Sequence, residues 1–217
     1  MSASAPSKAI HSDRERESLR IAEAARQTEW TEPSFLKEIF LGNLQMHLIR
    51  PIPDAMKERP VFTAFYERLK TFLRDEVRPG EIDATGEYPP AVVDGLKRLG
   101  AFGMKIPTEY GGLGFSQIEY GRVMELLGSY DGNISALLSA HQSIGVPQPV
   151  KIFGTPEQKA RFLPRCAAGA ISAFALTEDG VGSDPAQLAT TAELTKEGDA
   201  YVINGEKLWC TNGTIAE

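Results

Sequence analysis

The carboxyl-terminal stretch, residues 171–217, restricts the fold more than any other part of this sequence. Its β-branched and aromatic residues fall into short runs typical of strands, namely ISAFALT, QLATTAEL, AYVI and EKLWCT. Asn204-Gly205 lies between the last two runs, and this pair favours a tight hairpin because both residues tolerate positive φ. The stretch therefore predicts antiparallel β structure.

Within this stretch, one loop and one strand could form a binding site. The loop over residues 177–184, TEDGVGSD, follows the first predicted strand. Its glycines let the backbone approach a ligand closely, and its amides and hydroxyls suit an anion such as phosphate. From the residues alone, an ordinary turn is the alternative interpretation.

The last predicted strand carries a large aromatic ring and a hydroxyl on the same face. Strand alternation places Trp209 and Thr211 on one face and Leu208 and Cys210 on the other. Such a ring can stack on a planar cofactor while the hydroxyl bonds the cofactor's edge. Ordinary sheet packing is the alternative for the same pattern.

The residues before this stretch have helical patterns. Amphipathic spacing predicts helices over residues 12–27, 33–44, 61–77 and 89–99. Further helices begin after the N-cap residues Ser116, Asp131 and Thr155. Ser116 and Thr155 each have Glu or Gln three positions later, which completes a capping box.

These patterns predict an α+β protein, with an amino-terminal helical bundle followed by an incomplete antiparallel β-domain. We expect residues 1–57 to be an extension and linker, with prolines at 50–53 marking the linker. Residues 58–165 form the helical domain in this prediction. Residues 166–217 form the start of the β middle domain.

Composition excludes several classes of function. The net charge of -6 argues against a nucleic-acid partner, and no apolar run approaches the roughly 18 residues of a transmembrane segment. Cys166 and Cys210 are the only cysteines, so we expect free thiols, no disulfide framework and no metal site. Acidic residues near the amino terminus are unlike a mitochondrial transit peptide, which predicts a cytoplasmic protein.

Two long motifs, FALTEDGVGSD at residues 174–184 and YVINGEKLWCTNG at residues 201–213, occur in this order. Together they resemble the paired signature of the acyl-CoA dehydrogenase family. Similar family segments are LKRLGAFGMKIPTEYGGLG, SAHQSIG and FGTPEQKARFLPRCAAGA in the helical part. With SFLKEIFLGNLQMHLIRPIP at residues 34–53, the chain looks most like the very-long-chain subgroup.

This resemblance implies an FAD site. By motif position, Phe174, Leu176, Thr177, Gly182 and Ser183 would line the cofactor, with Thr177 at the flavin's pyrimidine edge. Ser183 would also contact substrate.

The second motif would complete that site. Trp209 would lie against the isoalloxazine, and Thr211 would bond near N5. Cys210, between them, also counts among the cofactor-binding residues of the motif. The sequence departs from the family at Asp179, where a proline is usual, and at Cys210, the centre of the Trp-Ile-Thr pattern.

The activity implied is FAD-dependent α,β-dehydrogenation of a fatty acyl-CoA in β-oxidation. Electrons would pass to an electron-transferring flavoprotein, and the full-length protein would be a homo-oligomer. The family's catalytic glutamate comes from a carboxyl-terminal domain, so no catalytic residue is assigned here and the chain is expected to be an inactive fragment. Alternatives are an acyl-CoA oxidase, a related flavin monooxygenase and a non-catalytic scaffold of the same fold.

His141 lies in the SAHQSIG segment of the helical part. We expect it to be a packed, hydrogen-bonded histidine with no catalytic role.

Overall fold

The computed structural model describes Arg16, Arg20, residues 33–49 and residues 59–217. These residues fall into two compact units. One contains residues 33–49 and 183–188, and the other contains residues 59–182 and 189–217. Arg16 and Arg20 are helical, in agreement with the helix predicted over 12–27, whose other residues lie outside the described part. The predicted linker at 50–53 also lies outside it.

The smaller unit contains helix α1, Phe35–Phe40. The helix begins after Ser34, whose hydroxyl accepts the Lys37 N–H at 3.4 Å. Gly42, at φ 83°, follows the end of the helix, so the helix is shorter than the predicted 33–44. Two short 3₁₀ turns, Met46–Leu48 and Pro185–Gln187, belong to the same unit.

Most helices of the larger unit match the predicted pattern, but those at Pro79–Thr85 and Pro147–Phe153 were not predicted. The bounds of the helices in this unit are α2 Pro60–Glu76, α3 Pro79–Thr85, α4 Pro90–Leu99, α5 Gln117–Tyr130, α6 Gly132–Ser139, α7 Pro147–Phe153 and α8 Pro156–Ala167. Short 3₁₀ turns at Ala101–Gly103 and Thr108–Tyr110 follow α4, and a π turn, Ala140–Ile144, follows α6.

Local capping bonds determine where these helices begin. Ser116 and Thr155 form complete capping boxes at α5 and α8, as predicted. The Asp131 carboxylate accepts the Ile134 N–H at 2.7 Å and starts α6. At the other end of α4, Gly100 adopts φ 82°, a left-handed conformation that glycine reaches without strain and that ends the helix.

The main core lies between α2, α4, α5 and α6. On α2, Phe62, Phe65 and Phe72 are buried together with Leu69 and Leu73, each side chain contributing about 1.5–3 kcal/mol of burial free energy. The rings of Phe62 and Phe65 both meet Phe115 edge-on, with centroids 5.5 and 5.2 Å apart. A smaller cluster connects α8 to the 3₁₀ turns through Ile106, Leu163, Cys166 and Ala167.

The β part contains one antiparallel hairpin, β1 Thr191–Leu194 and β2 Tyr201–Asn204. Its turn covers residues 195–200, where Thr195 N–H donates to Ala200 O at 2.9 Å and Gly198 adopts φ 74°. This confirms an α+β chain with helices first and a small antiparallel sheet after them.

The location of the hairpin corrects the sequence interpretation. Asn204-Gly205 was expected to form the turn, but Asn204 ends β2 and Gly205 lies against Thr190, where a Cβ would overlap the threonine side chain. Residues 171–177 and 206–211 were expected to be strands, but neither has a ladder partner in the described part. A strand-like composition does not supply that partner.

Among the residues that the structure describes, no helix combines the length and apolar character needed to cross a membrane. The same residues contain no group of three or more His, Cys, Asp and Glu side chains that could hold a metal ion.

Gly95 and Gly121 provide a matched test of close packing between α2 and α4. A Cβ at Gly95 would overlap the Phe72 ring, whereas a Cβ at Gly121 of α5 meets nothing within 4 Å. We expect Gly95→Ala to lower the free energy of unfolding by about 1–3 kcal/mol through overpacking. Gly121→Ala should raise it by about 0.5–1 kcal/mol through helix propensity. Urea unfolding of both variants measures the difference, and equal stabilities would contradict this packing.

Candidate functional site

Two segments of the larger unit lie side by side after the helical part. Leu208 N–H donates to Thr177 O at 2.8 Å, and Lys207 Nζ donates to Leu176 O at 3.0 Å. These bonds place the start of the Lys-Leu-Trp segment beside the Leu-Thr-Glu segment. The two signature motifs therefore meet at this point.

The Glu178 carboxylate holds this junction together. Its oxygens accept N–H groups of Ala189 at 2.6 Å and Thr190 at 3.0 Å, and they pair with Lys207 Nζ at 2.7 Å. The Glu178 backbone also exchanges two hydrogen bonds with Val181, at 3.1 and 3.0 Å, which closes a tight turn. One buried carboxylate thus connects the loop, the start of the hairpin and the second motif.

Its environment favours the charged form of Glu178. The hydrogen bond from Lys207 lowers the pKa of the carboxyl most, and the Thr190 hydroxyl and Ala189 amide lower it further, to about 2. The carboxylate is therefore ionised at neutral pH. This makes Glu178 an acceptor for its neighbours and not a proton donor.

Apolar side chains are exposed beside this junction. Phe174 is 41% exposed, Leu176 is 38% exposed and Trp209 is 86% exposed. Exposed apolar side chains, one of them an indole, offer surface that a planar ligand can cover. The half-buried Thr177 supplies a hydroxyl in the same segment. These residues fit the isoalloxazine of FAD, with its flat ring and polar edge.

The backbone at Trp209 differs from the predicted strand. Trp209 adopts φ 55°, and Thr211 N–H donates to Trp209 O at 3.0 Å, so residues 209–211 turn. Strand alternation therefore cannot assign faces here. Even so, Trp209 and Thr211 are exposed while Leu208 and Cys210 are half-buried.

Asn212 fixes the turn that follows. It adopts φ 68°, a conformation that asparagine tolerates better than most residues. Its buried side-chain amide donates to Leu137 O at 3.0 Å and to Ser172 O at 3.2 Å. Leu137 belongs to α6, so this amide joins the second motif to the helical part.

His141 anchors the other segment from the π turn. Ser172 N–H donates to His141 Nδ1 at 3.1 Å, so the ring proton is on Nε2, which donates to Phe102 O at 3.1 Å. His141 is thus buried and hydrogen-bonded at both nitrogens, as expected from its sequence context. Gly145 lets Ser172 come close, because a Cβ there would overlap the Ser172 hydroxyl.

Burial lowers the pKa of His141 to about 4, because the interior penalises the charged imidazolium. The ring is therefore neutral at pH 7. A neutral ring is required, since Nδ1 must accept the Ser172 N–H.

The structure brings only some of the predicted cofactor residues together. Hydrogen bonds join the segment containing Leu176 and Thr177 to the segment that leads to Trp209. Gly182 is exposed at the end of the loop, and Ser183 is exposed in the smaller unit. Thr211 lines a cleft of about 580 Å³ together with Tyr88, Lys97 and Asn212.

Sequence reasoning missed the side chains that hold the site, namely Glu178, Lys207, Ser172 and Asn212. The Glu178–Lys207 pair spans 29 residues and the Asn212–Leu137 bond spans 75. No local spacing connects such partners. The remaining signal was the position of these four residues inside or beside the two motifs.

Two family models match this chain. Residues 62–170 match the acyl-CoA dehydrogenase N-terminal domain, and residues 173–217 match the acyl-CoA dehydrogenase middle domain. The chain belongs to the acyl-CoA dehydrogenase family. The junction of the two motifs therefore lies in the part that corresponds to the middle domain.

Individual relatives give the same family. A probable acyl-CoA dehydrogenase, FadE10, of Mycobacterium tuberculosis is 50% identical over 94% of this chain and 31% of its own length. The rat very long-chain specific acyl-CoA dehydrogenase is 38% identical over 85% of this chain and 28% of its own. The chain thus spans about a third of the length of these relatives.

A solved acyl-CoA dehydrogenase from Bacillus anthracis, complexed with FAD, superposes with a TM-score of 0.63 at 33% identity. The match covers 74% of this chain and 28% of that one.

The Glu178 cluster should respond to acid in a defined range. Because its folded pKa, about 2, lies below the ordinary 4.5, the ionised carboxylate stabilises the fold above pH 4.5. That stabilisation should be lost as pH falls from 4.5 towards 2. Amide exchange at Ala189 and Thr190, followed by NMR over this range, measures the loss.

Glu178→Gln provides the variant for this range, and Glu193→Gln, at an exposed position of β1, is its control. Glu178→Gln keeps one acceptor oxygen but loses the second, so the protection of at least one of the two amides should fall already at pH 7. Unchanged protection in Glu178→Gln would refute the cluster's role.

His141 should produce a second pH dependence at higher pH. Its folded pKa of about 4 lies below the ordinary 6.5. As pH falls, His141 is therefore protonated in the unfolded chain before it is protonated in the folded protein. Stability should therefore fall by about 1.4 kcal/mol per pH unit as pH drops from 6.5 to 4. Urea unfolding at several pH values measures this slope.

The slope should largely disappear in His141→Gln, whatever the absolute stability of that variant. It should persist in His47→Gln, because His47 is exposed. A wild-type slope retained in His141→Gln would show that other groups cause it.

Proposed function

We propose that this chain is part of an FAD-dependent enzyme that dehydrogenates a fatty acyl-CoA between its α and β carbons. The observation that carries the proposal is the junction of the two signature motifs, where exposed Trp209 follows a segment bonded to Leu176 and Thr177. The family and the FAD complex of the Bacillus anthracis relative support it. The chain spans 31% of the mycobacterial relative's length, so the activity of the whole protein is part of the proposal.

The cofactor residues follow from this proposal. Trp209 would lie against the isoalloxazine, and the Thr177 and Thr211 hydroxyls would bond its polar edges. Phe174 and Leu176 would cover the ring's apolar portion, and Cys210 would pack behind it. Gly182 and Ser183 would approach the phosphates, with Ser183 also near the substrate.

FAD supplies the acceptor for the hydride that leaves the β carbon, while a base removes the α proton. No residue of this chain is assigned as that base. The chain's own residues would bind and orient the cofactor. The Trp209 ring would exclude water from one face of the flavin, and the hydroxyls of Thr177 and Thr211 would fix its rotation. Glu178 has a different role, because its ionised oxygens are occupied by Lys207 and the Ala189 and Thr190 amides.

Substrate, electron acceptor and assembly remain predictions. We propose a fatty acyl-CoA substrate, an electron-transferring flavoprotein as acceptor and a homo-oligomer as the working form. We also propose a cytoplasmic location. The divisions at residues 57 and 165 also remain predictions.

The full-length protein, reconstituted with FAD, provides the test. Addition of palmitoyl-CoA without oxygen should bleach the flavin absorbance, and the electron-transferring flavoprotein should restore it. The matching enoyl-CoA, which is already dehydrogenated, should produce no bleaching. Trp209→Ala should weaken FAD binding roughly 5- to 150-fold, as expected for loss of a stacked ring worth about 1–3 kcal/mol.

Other outcomes identify the alternatives. Restoration by oxygen alone would indicate an acyl-CoA oxidase, and bleaching only by a reduced nicotinamide would indicate a monooxygenase. FAD bound without bleaching by any acyl-CoA would favour a scaffold. Failure of the full-length protein to bind FAD would overturn the proposal.

A further inference from the structure

Beyond the residues that would touch the flavin, one buried amide lies at the centre of the contacts between the two motifs and the helices. Asn212 is buried, and its side-chain nitrogen donates to two carbonyl oxygens from different parts of the chain. One of these oxygens belongs to Leu137 in α6. The other belongs to Ser172, which lies two residues before the first motif. A single side chain of the second motif therefore binds the helical part and a residue just before the first motif.

The bonds to Ser172 strengthen this arrangement. Ser172 N–H donates to His141 Nδ1 at 3.1 Å, and Ser172 Oγ accepts the Val146 N–H at 3.2 Å. The backbone oxygen of the same residue is taken by Asn212. Ser172 is thus fixed on both sides, two residues before Phe174.

Asn212 also determines the conformation of the backbone around it. Asn212 is in the left-handed region at φ 68°. Gly213 N–H donates to Cys210 O at 2.8 Å, and Thr211 N–H donates to Trp209 O at 3.0 Å. The turn that presents Trp209 therefore ends at the buried amide. Loss of the amide should release the turn without removing any group that would touch the flavin.

We infer that Asn212 is a positioning residue, which holds the Trp209–Thr211 turn and the Ser172-led segment in one fixed relation for flavin binding. Only the part of this inference that concerns flavin binding rests on the function proposed above. The anchoring itself concerns groups within this chain and is measurable without FAD.

Two substitutions separate the side chain from the backbone conformation. Asn212→Gly keeps left-handed φ accessible and removes the amide. Asn212→Asp keeps the shape but replaces the donor with oxygens that face two carbonyl oxygens. Asn204→Gly is the matched control, because Asn204 is an exposed asparagine at the end of β2.

The first measurement is hydrogen exchange of the full-length protein without added FAD. Asn212→Gly and Asn212→Asp should accelerate exchange at Thr211 and Gly213 about tenfold or more. The amides of Glu178 and Val181, which belong to a separate turn, should keep their protection. Asn204→Gly should change neither pair. A purely structural role would instead raise exchange throughout the helical core.

The second measurement is FAD binding to the same proteins. Both Asn212 variants should bind FAD about tenfold more weakly, with an altered flavin circular dichroism signal from the displaced Trp209. Unchanged exchange at Thr211 and Gly213 would overturn the inference whatever the flavin result. Faster exchange with wild-type affinity and signal would overturn the positioning role. Wild-type protein that binds no FAD would overturn the proposed function and the flavin part of this inference, while exchange still decides the anchoring.

Discussion

The candidate site depends on the hydrogen bonds of a neutral imidazole, which is buried in the π turn after α6. His141 must donate from Nε2 to Phe102 O and accept at Nδ1 from Ser172 N–H, and only one neutral tautomer does both. Charging the ring would remove the acceptor at Nδ1. The site therefore keeps a fixed geometry only while the surrounding helices exclude water from the ring. Helix packing and the position of the Ser172 backbone are thus coupled through one proton.

The second anchor, Glu178, uses the opposite electrostatics. Its carboxylate stays ionised because Lys207, two backbone amides and the Thr190 hydroxyl compensate the charge. His141 stays neutral because the cost of burial outweighs the hydrogen bond to Phe102 O, which favours the charged ring. The two groups lose their stabilising roles in different pH ranges. The attachment of Ser172 to the helical part through His141 and the attachment of the loop through Glu178 therefore weaken at different pH. A buried charge with four hydrogen-bond donors is tolerated where an isolated one would not be.

The helical part was readable from sequence because its determinants are local. The capping boxes at Ser116 and Thr155 and the glycine at 100 act within one turn of the residues they affect. For the β part, the sequence predicted antiparallel structure but not which residues pair. Residues 171–177 look like a strand, yet a strand also needs a partner, which composition does not reveal. For the site, the motifs indicated Thr177 and Trp209, but the 75-residue separation of Asn212 from Leu137 has no local pattern.

That separation has a consequence for the order of folding. Every anchor of the two motifs on the helices lies upstream: Leu137, His141 and Val146 all precede the Ser172 and Asn212 groups that bind them. During synthesis, the residues of the helical part that bind Ser172 and Asn212 therefore leave the ribosome before those two residues do. The motif segments can then attach to a preformed surface, which removes the search for long-range partners that makes β structure slow to form.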